Sequence, residues 1–282
     1  MATLAGGNMS EKTPFIREYR KFYAEKSLGQ HFLTNKFIAD KMVEAADINK
    51  GDTILEIGPG LGILTQSIIS FSAKTIILCE KDEKFVSYLK EKISDKRVKI
   101  IEQDSLLLIP NLQVSSPLKV ISNLPYNISS PVITSLLMVC PTLPERIIVM
   151  LQKEVAQRLV SRPSHRERGI LTVLTELFGQ ARIIDKVSKN QFYPAPRVDS
   201  NVLMISDIKK PDLDSKLFLK MLKFSFAGKR KKIKNSLFST LKVSATPASK
   251  IAASAGISLD QRPEELTIEQ WKKLFRLLKD QL

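Results

Sequence analysis

The chain has 282 residues, 43% of them hydrophobic, and its 44 lysines and arginines outnumber 29 aspartates and glutamates to give a formal charge of +15. That is enough apolar side chain for one large or two ordinary domains, while no apolar run approaches the roughly 20 residues that a membrane span requires. Two histidines and two cysteines without ligand spacing argue against a zinc site, and the surplus of positive charge exceeds what solubility needs, pointing to a polyanionic partner such as nucleic acid.

Residues 1–8 are small and read as a lead before Met9. Glu11, Lys12, Arg17 and Arg20 stand where a secretory signal needs an apolar core, so a cytoplasmic protein with no membrane association is expected. From residue 52 to about 205, β-branched runs alternate with helical ones, which predicts a mostly parallel sheet covered by helices. The strands are expected at residues 53–57, 75–79, 98–101, 118–122, 147–151, 181–187 and 201–205, with helical spacing at 64–70, 83–93, 131–138 and 153–160. The last two strands should form an antiparallel hairpin at one sheet edge. Cys79 and Cys140 both fall in apolar surroundings and read as reduced core residues.

Lys209-Lys210-Pro211-Asp212 is a polar break after which no strand pattern returns. Phe218, Leu219, Leu222 and Phe226, then Ile233, Leu237 and Leu241, then residues 248–255 and 268–278 show helical spacing, with Thr267 as a cap for the last. Three units follow: residues 1–50 as an extension and helical lead, 51–207 as an α/β domain, and 208–282 as a smaller all-helical domain. Positive charge clusters between Lys12 and Lys26, at Arg158, Arg162, Arg166 and Arg168, and at Lys229-Arg230-Lys231-Lys232 with Lys234. A single such cluster is more often a solvated face than a site, but their sum points to phosphates.

Glu56-Ile57-Gly58-Pro59-Gly60-Leu61-Gly62 lies between the first core strand and its helix, where glycines let the backbone pass under a nucleotide-like cofactor. The third glycine of a dinucleotide fingerprint is replaced by Ile63, which disfavours NAD. Glu80, 22 residues after Gly58, ends the next strand where an acid can bind ribose hydroxyls, and Asp104 follows the third, where it can accept from an adenine amine. Each acid alone also reads as a turn former or helix cap. Asn123-Leu124-Pro125-Tyr126 leaves the fourth strand. It suits a planar amine, because the Asn123 oxygen and a carbonyl of Leu124 or Pro125 can accept its hydrogens while Tyr126 stacks on the ring.

These motifs carry a resemblance. Residues 26–33 (KSLGQHFL), 56–65, Glu80, Gln103-Asp104, 123–131, 152–158 (QKEVAQR), 192–200 (FYPAPRVDS) and 262–266 (RPEEL) together resemble the small-subunit rRNA adenine N6,N6-dimethyltransferases of the kasugamycin-sensitivity type. The resemblance implies a Rossmann-like, S-adenosylmethionine-dependent methyltransferase fold with a mostly parallel seven-stranded sheet. It also implies S-adenosylmethionine as cofactor, at His31, Leu33, Gly58, Gly60, Glu80, Asp104 and Asn123. The implied substrate is two neighbouring adenines in the hairpin loop near the 3′ end of small-subunit rRNA, within a pre-ribosomal particle, methylated by a monomer. Asn123, Leu124, Pro125, Tyr126 and Phe192 would form the catalytic set, with Tyr126 and Phe192 clamping the extruded base. Arg158, Arg197, Lys229, Arg230, Lys231 and Lys232 would hold phosphates.

No basic group in the chain is evidently tuned to deprotonate a neutral adenine amine, so catalysis is expected from alignment of its lone pair. Three rivals share features with this reading. A macrolide-resistance methyltransferase of large-subunit rRNA has the same cofactor motifs, but the Asn-Leu-Pro-Tyr-Asn form and residues 262–266 fit it less well. A non-catalytic assembly or transcription factor on the same fold would not need Glu80, Asp104, Asn123 and Tyr126. An NAD-dependent dehydrogenase would need a proton-relay histidine.

Overall fold

Phe32–Leu33 forms a short strand, β1, and helix α1 (Lys36–Ala45) follows it, capped by the Asn35 side chain accepting from the Phe37 N–H. This is a computed structural model of the chain that describes residues 31–228 and 230–282. The basic cluster between Lys12 and Lys26, residues 26–30 of the first motif, and Lys229 lie outside the described residues.

The apolar runs then become strands: β2 (Thr53–Ile57), β3 (Thr75–Glu80), β4 (Val98–Glu102), β5 (Leu118–Asn123) and β6 (Arg146–Gln152). They alternate with α2 (Ile63–Ile69), α3 (Glu83–Lys92), a short α4 (Ser105–Leu108), α5 (Ser129–Met138) and α6 (Lys153–Leu159). All five residues of β2 are buried, as expected for a strand covered on both faces by helices. Helix α7 (Ile170–Phe178) precedes β7 (Gln180–Val187), the two-residue β8 (Phe192–Tyr193) and β9 (Ser200–Ser206).

Seven strands make one sheet in the order β4-β3-β2-β5-β6-β9-β7, parallel except where β9 runs against both β6 and β7. The expected antiparallel pairing of the last two long strands is present, with one refinement. Only β7 is the edge, because β9 inserts between it and β6, where its first six residues are buried. Residues β1 and β8 pair apart from this sheet, Phe32 opposite Tyr193 and Leu33 opposite Phe192.

Beyond residue 210, α8 (Ser215–Ser225), a π-helical turn (Lys234–Phe238), α9 (Ala245–Ala255) and α10 (Ile268–Leu278) account for the expected helical spacing, and Thr267 caps α10 through the Gln270 N–H. Their apolar faces join the sheet's: Val149 and Leu203, Leu174 of α7, Phe218 of α8 and Trp271 of α10 belong to one continuous buried cluster. Across this seam the Arg168 side chain is fully buried. It pairs with Glu176 and donates to the carbonyls of Ser161 and Leu266. Arg168 therefore does not belong to the solvated basic face that its neighbours in sequence suggested. These acceptors serve both terminal nitrogens and offset part of the desolvation of a buried guanidinium, while Nε is left without a partner.

Candidate active site

The glycine loop between β2 and α2 turns through three left-handed residues, Gly58, Gly60 and Gly62, at φ 64°, 54° and 79°. At Gly60 the need for glycine is double, since a Cβ there would also lie 2.7 Å from the Phe32 ring. This loop, β1 and the exit of β5 enclose a single cavity. Lining it are His31, Leu33, Gly58, Gly60, Glu80, Asn123, Leu124, Pro125 and Tyr126, nine of the residues singled out by sequence, together with Glu56. Asp104 lines an adjoining recess that shares Gly58, Glu80 and Pro125 with the first. Parallel topology accounts for the convergence, because β2, β3, β4 and β5 all deliver their carboxyl ends to this edge of the sheet.

Glu80 is 6% exposed and is held from three sides: Oε2 accepts from the Gly60 N–H at 3.2 Å, and Oε1 from the N–H groups of Lys81 and Asp82 at 2.8 and 3.0 Å. Burial raises its pKa despite those bonds. Its neighbour in the cavity, Glu56, is 1% exposed and has one side-chain partner, the Thr65 hydroxyl, which donates at 2.7 Å. Desolvation pushes the Glu56 carboxyl up to about 8. Glu56 escaped the residue-by-residue reading of the sequence, although a lone acid inside the apolar strand Thr-Ile-Leu-Glu-Ile was a signal available there. Asp104 does what its alternative reading proposed, capping α4 through the Leu106 N–H, and it also pairs with Lys81 at 3.1 Å. Those two partners hold its pKa below the ordinary carboxylate value.

Asn123 ends β5, and its Nδ2 donates to the His31 carbonyl at 3.2 Å, leaving Oδ1 for the cavity. The Pro125 carbonyl accepts from the Ile128 N–H at 3.2 Å, so of the two carbonyls considered as amine acceptors, that of Leu124 is the one not used by the turn. Tyr126 is fixed at both ends: its hydroxyl meets Ser200 Oγ at 2.8 Å, and its ring lies 5.5 Å from that of His31. His31 Nδ1 is 2.8 Å from the Pro194 carbonyl, which can only accept, so this nitrogen carries a hydrogen.

Phe192 does not join this group. It is 4% exposed and packs within the buried cluster that contains Leu33, Ile121 and Val187, its place fixed by pairing opposite Leu33. The two-ring clamp expected from Tyr126 and Phe192 is therefore not assembled, because burial of an aromatic ring outweighs leaving it at the cleft. Among the basic residues, Arg158 is exposed and lies 3.8 Å from Glu167, Arg197 is exposed on the loop between β8 and β9, and Arg230 and Lys231 are exposed in the connection after α8. Arg230, Lys231 and Lys232 thus stand ahead of the π-helical turn, and Lys234 is its first residue. Lys232, with Lys234, is engaged by Asp260 at 3.0 and 2.8 Å.

Residues 21–280 match the family described as ribosomal RNA adenine dimethylase. Over 266 residues the chain is 36% identical to the ribosomal RNA small subunit methyltransferase A of Prochlorococcus marinus (strain NATL1A), spanning 90% of this chain and 91% of that one. The protein of the same name from Clostridium botulinum (strain Kyoto / Type A2) is 35% identical over 92% of this chain and 96% of its own. Among solved structures, a dimethyladenosine transferase from Plasmodium falciparum aligns with a TM-score of 0.76 at 25% identity, covering 89% of this chain and 98% of that one. The 23S rRNA methyltransferase ErmE shares the fold, with a TM-score of 0.68 at 24% identity over 88% of this chain and 99% of that one.

Proposed function

The chain belongs to the ribosomal RNA adenine dimethylase family, and from that premise we propose that it dimethylates N6 of two adjacent adenosines in the 3′-terminal hairpin loop of small-subunit rRNA. It is an S-adenosylmethionine-dependent enzyme. The donor set fits that cofactor: two buried carboxylates in one cavity, Glu56 and Glu80, suit an ammonium and a ribose diol, and the Gly60 turn lets backbone approach a bulky nucleoside. When bound, S-adenosylmethionine supplies a methyl group made electrophilic by its sulfonium.

The chain's own residues then have distinct tasks. Glu80, already polarised by three N–H groups, retains lone pairs for ribose hydroxyls, and Glu56 offers the buried negative charge that an ammonium would stabilise. Asp104 lies beside the recess that suits the cofactor's adenine. For the substrate, Asn123 Oδ1 and the Leu124 carbonyl accept the two amine hydrogens, which turns the nitrogen lone pair out of conjugation and toward the methyl group. Pro125 fixes the turn that holds these acceptors, and Tyr126 covers the ring face. With Phe192 in the core, the ring contact falls to Tyr126 alone. After transfer the nitrogen is acidic enough to lose its proton to water, so no resident base is required.

The pairing of Asn123 with the His31 carbonyl carries this reading, because it orients the acceptor oxygen instead of the amide nitrogen toward the cavity. Arg158, Arg197, Arg230 and Lys231 would hold phosphates of the rRNA, in a pre-ribosomal particle, with the enzyme acting as a monomer. The test is incubation with labelled S-adenosylmethionine and small subunits lacking the modification, followed by mapping of the methylated nucleotides. Label at a large-subunit adenine, or none on the small subunit, would overturn it.

A further inference from the structure

Helix α5 leaves the Asn123–Tyr126 loop directly, tied to it by the Ser129 hydroxyl donating to the Tyr126 carbonyl at 3.1 Å, and it packs beside α8 with a groove between them. One wall, from α5, is uncharged, and presents Ser130, Thr134 and Met138. The opposite wall, from α8, presents Lys216, Lys220 and Lys223, all exposed, and no acidic residue lines the groove. The lysines recur at i, i+4 and i+7, so they form one stripe over about 10 Å of helix axis. Like charges at that spacing disfavour the helix itself, and Lys216 and Lys223 have no ion-pair partner among the described residues. Lys220 rests over Phe224 and donates to the main-chain oxygen of Leu282, the last residue of the sequence.

Resting on the rRNA reading above, we propose that the α5–α8 groove is a second RNA contact, in which the lysine stripe neutralises consecutive phosphates of a strand that continues from the catalytic loop. A row of three exposed cations, two of them without an ion-pair partner among the described residues, fits a polymer of regularly spaced charges better than a single anion. The uncharged wall, with hydroxyls above an apolar floor, fits sugar faces and 2′-hydroxyls without reading bases. This track is separate from the Arg230–Lys231 connection, since none of its lining residues belongs to that segment.

The experiment compares the full chain with the variant carrying Lys216→Gln, Lys220→Gln and Lys223→Gln, and with Thr134→Glu, which places a negative charge on the other wall. Binding to protein-free small-subunit rRNA is titrated across salt, and cofactor binding is measured by calorimetry. The triple variant should bind rRNA more weakly, with the slope of log affinity against log salt flattened by about 2–3. Thr134→Glu should weaken binding as well, and cofactor affinity should hold in both. Unchanged rRNA affinity and slope would overturn the proposal. So would a loss seen only with protein-containing subunits, which would assign the groove to an acidic ribosomal protein. Failure of the wild-type chain to methylate small subunits would instead sink the functional reading, leaving the binding comparison to be judged by itself.

Discussion

The Asn123 amide nitrogen donates to the His31 carbonyl at 3.2 Å, and this bond joins the fourth core strand to the chain segment that closes the cavity. It sets which atom of the amide faces a substrate. Asn123→Ala should lower single-turnover methyl transfer by about a hundredfold or more, the usual scale for deleting one positioned hydrogen-bonding group, with the melting temperature little changed. A rate within a few-fold of wild type would require another source of alignment.

Gly60→Ala combines a φ of 54° with a Cβ 2.7 Å from the Phe32 ring. The variant should lose about 1–3 kcal/mol of stability from left-handed strain and displacement of β1. It should also bind S-adenosylmethionine more weakly, which calorimetry would read, because Phe32 and Gly60 line the same cavity.

Glu56, pushed up to about 8 from an ordinary 4.5, makes stability depend on pH in a defined direction. Between those values the folded chain binds more protons than the unfolded chain, so the ligand-free protein becomes less stable as pH rises through this window. Glu56→Gln should flatten that slope and gain on the order of a few kcal/mol at pH 8 in denaturant titrations. The same variant should bind the cationic cofactor less tightly. A Glu56→Gln curve parallel to wild type would contradict the burial argument.

Cys79 is buried, and desolvation followed by the charges of Glu80 and Asp104 pushes its thiol up to about 12. Thiolate reagents should therefore fail to label it in the folded protein near neutral pH, and mass spectrometry after a brief exposure would check this.

Of the basic run, Arg230 and Lys231 have no ion-pair partner among the described residues, whereas Lys232 shares Asp260 with Lys234. Arg230→Gln and Lys231→Gln should each flatten the salt dependence of rRNA binding by about 0.7–0.9, and Lys232→Gln by less. Equal effects at all three positions would mean that Asp260 does not hold Lys232 away from phosphate.

The parallel strands were legible because each is a short β-branched run between helical segments, and their shared carboxyl edge followed from topology. Helix α7 was not. Its Ile-Leu-Thr-Val-Leu-Thr-Glu-Leu-Phe is only nine residues long, four of them β-branched and six buried, and a short apolar run of that kind does not separate by itself from a buried strand. The position of β9 between β6 and β7 depends on long-range pairing that periodicity cannot show. In the site, motif residues converged, but Phe192 was read as a cleft aromatic because nothing local announced its pairing with Leu33. Arg168 likewise looked like one more surface cation, since its acceptors come from residues 161, 176 and 266.

That buried arginine has a consequence for how a large substrate is handled. Arg168 grips Ser161 just past α6, Glu176 in the last turn of α7 and Leu266 before α10 at once, within a core that runs unbroken from sheet to C-terminal helices. Its bonds to Ser161 and Glu176 stay within the sheet lobe, and only the one to the Leu266 carbonyl crosses to the C-terminal helices, so resistance to jaw-like opening rests mainly on the continuous apolar core. On the proposed rRNA reading, a continuous core of this kind would make the enzyme a fixed gauge, matched to RNA folds whose loop reaches Asn123.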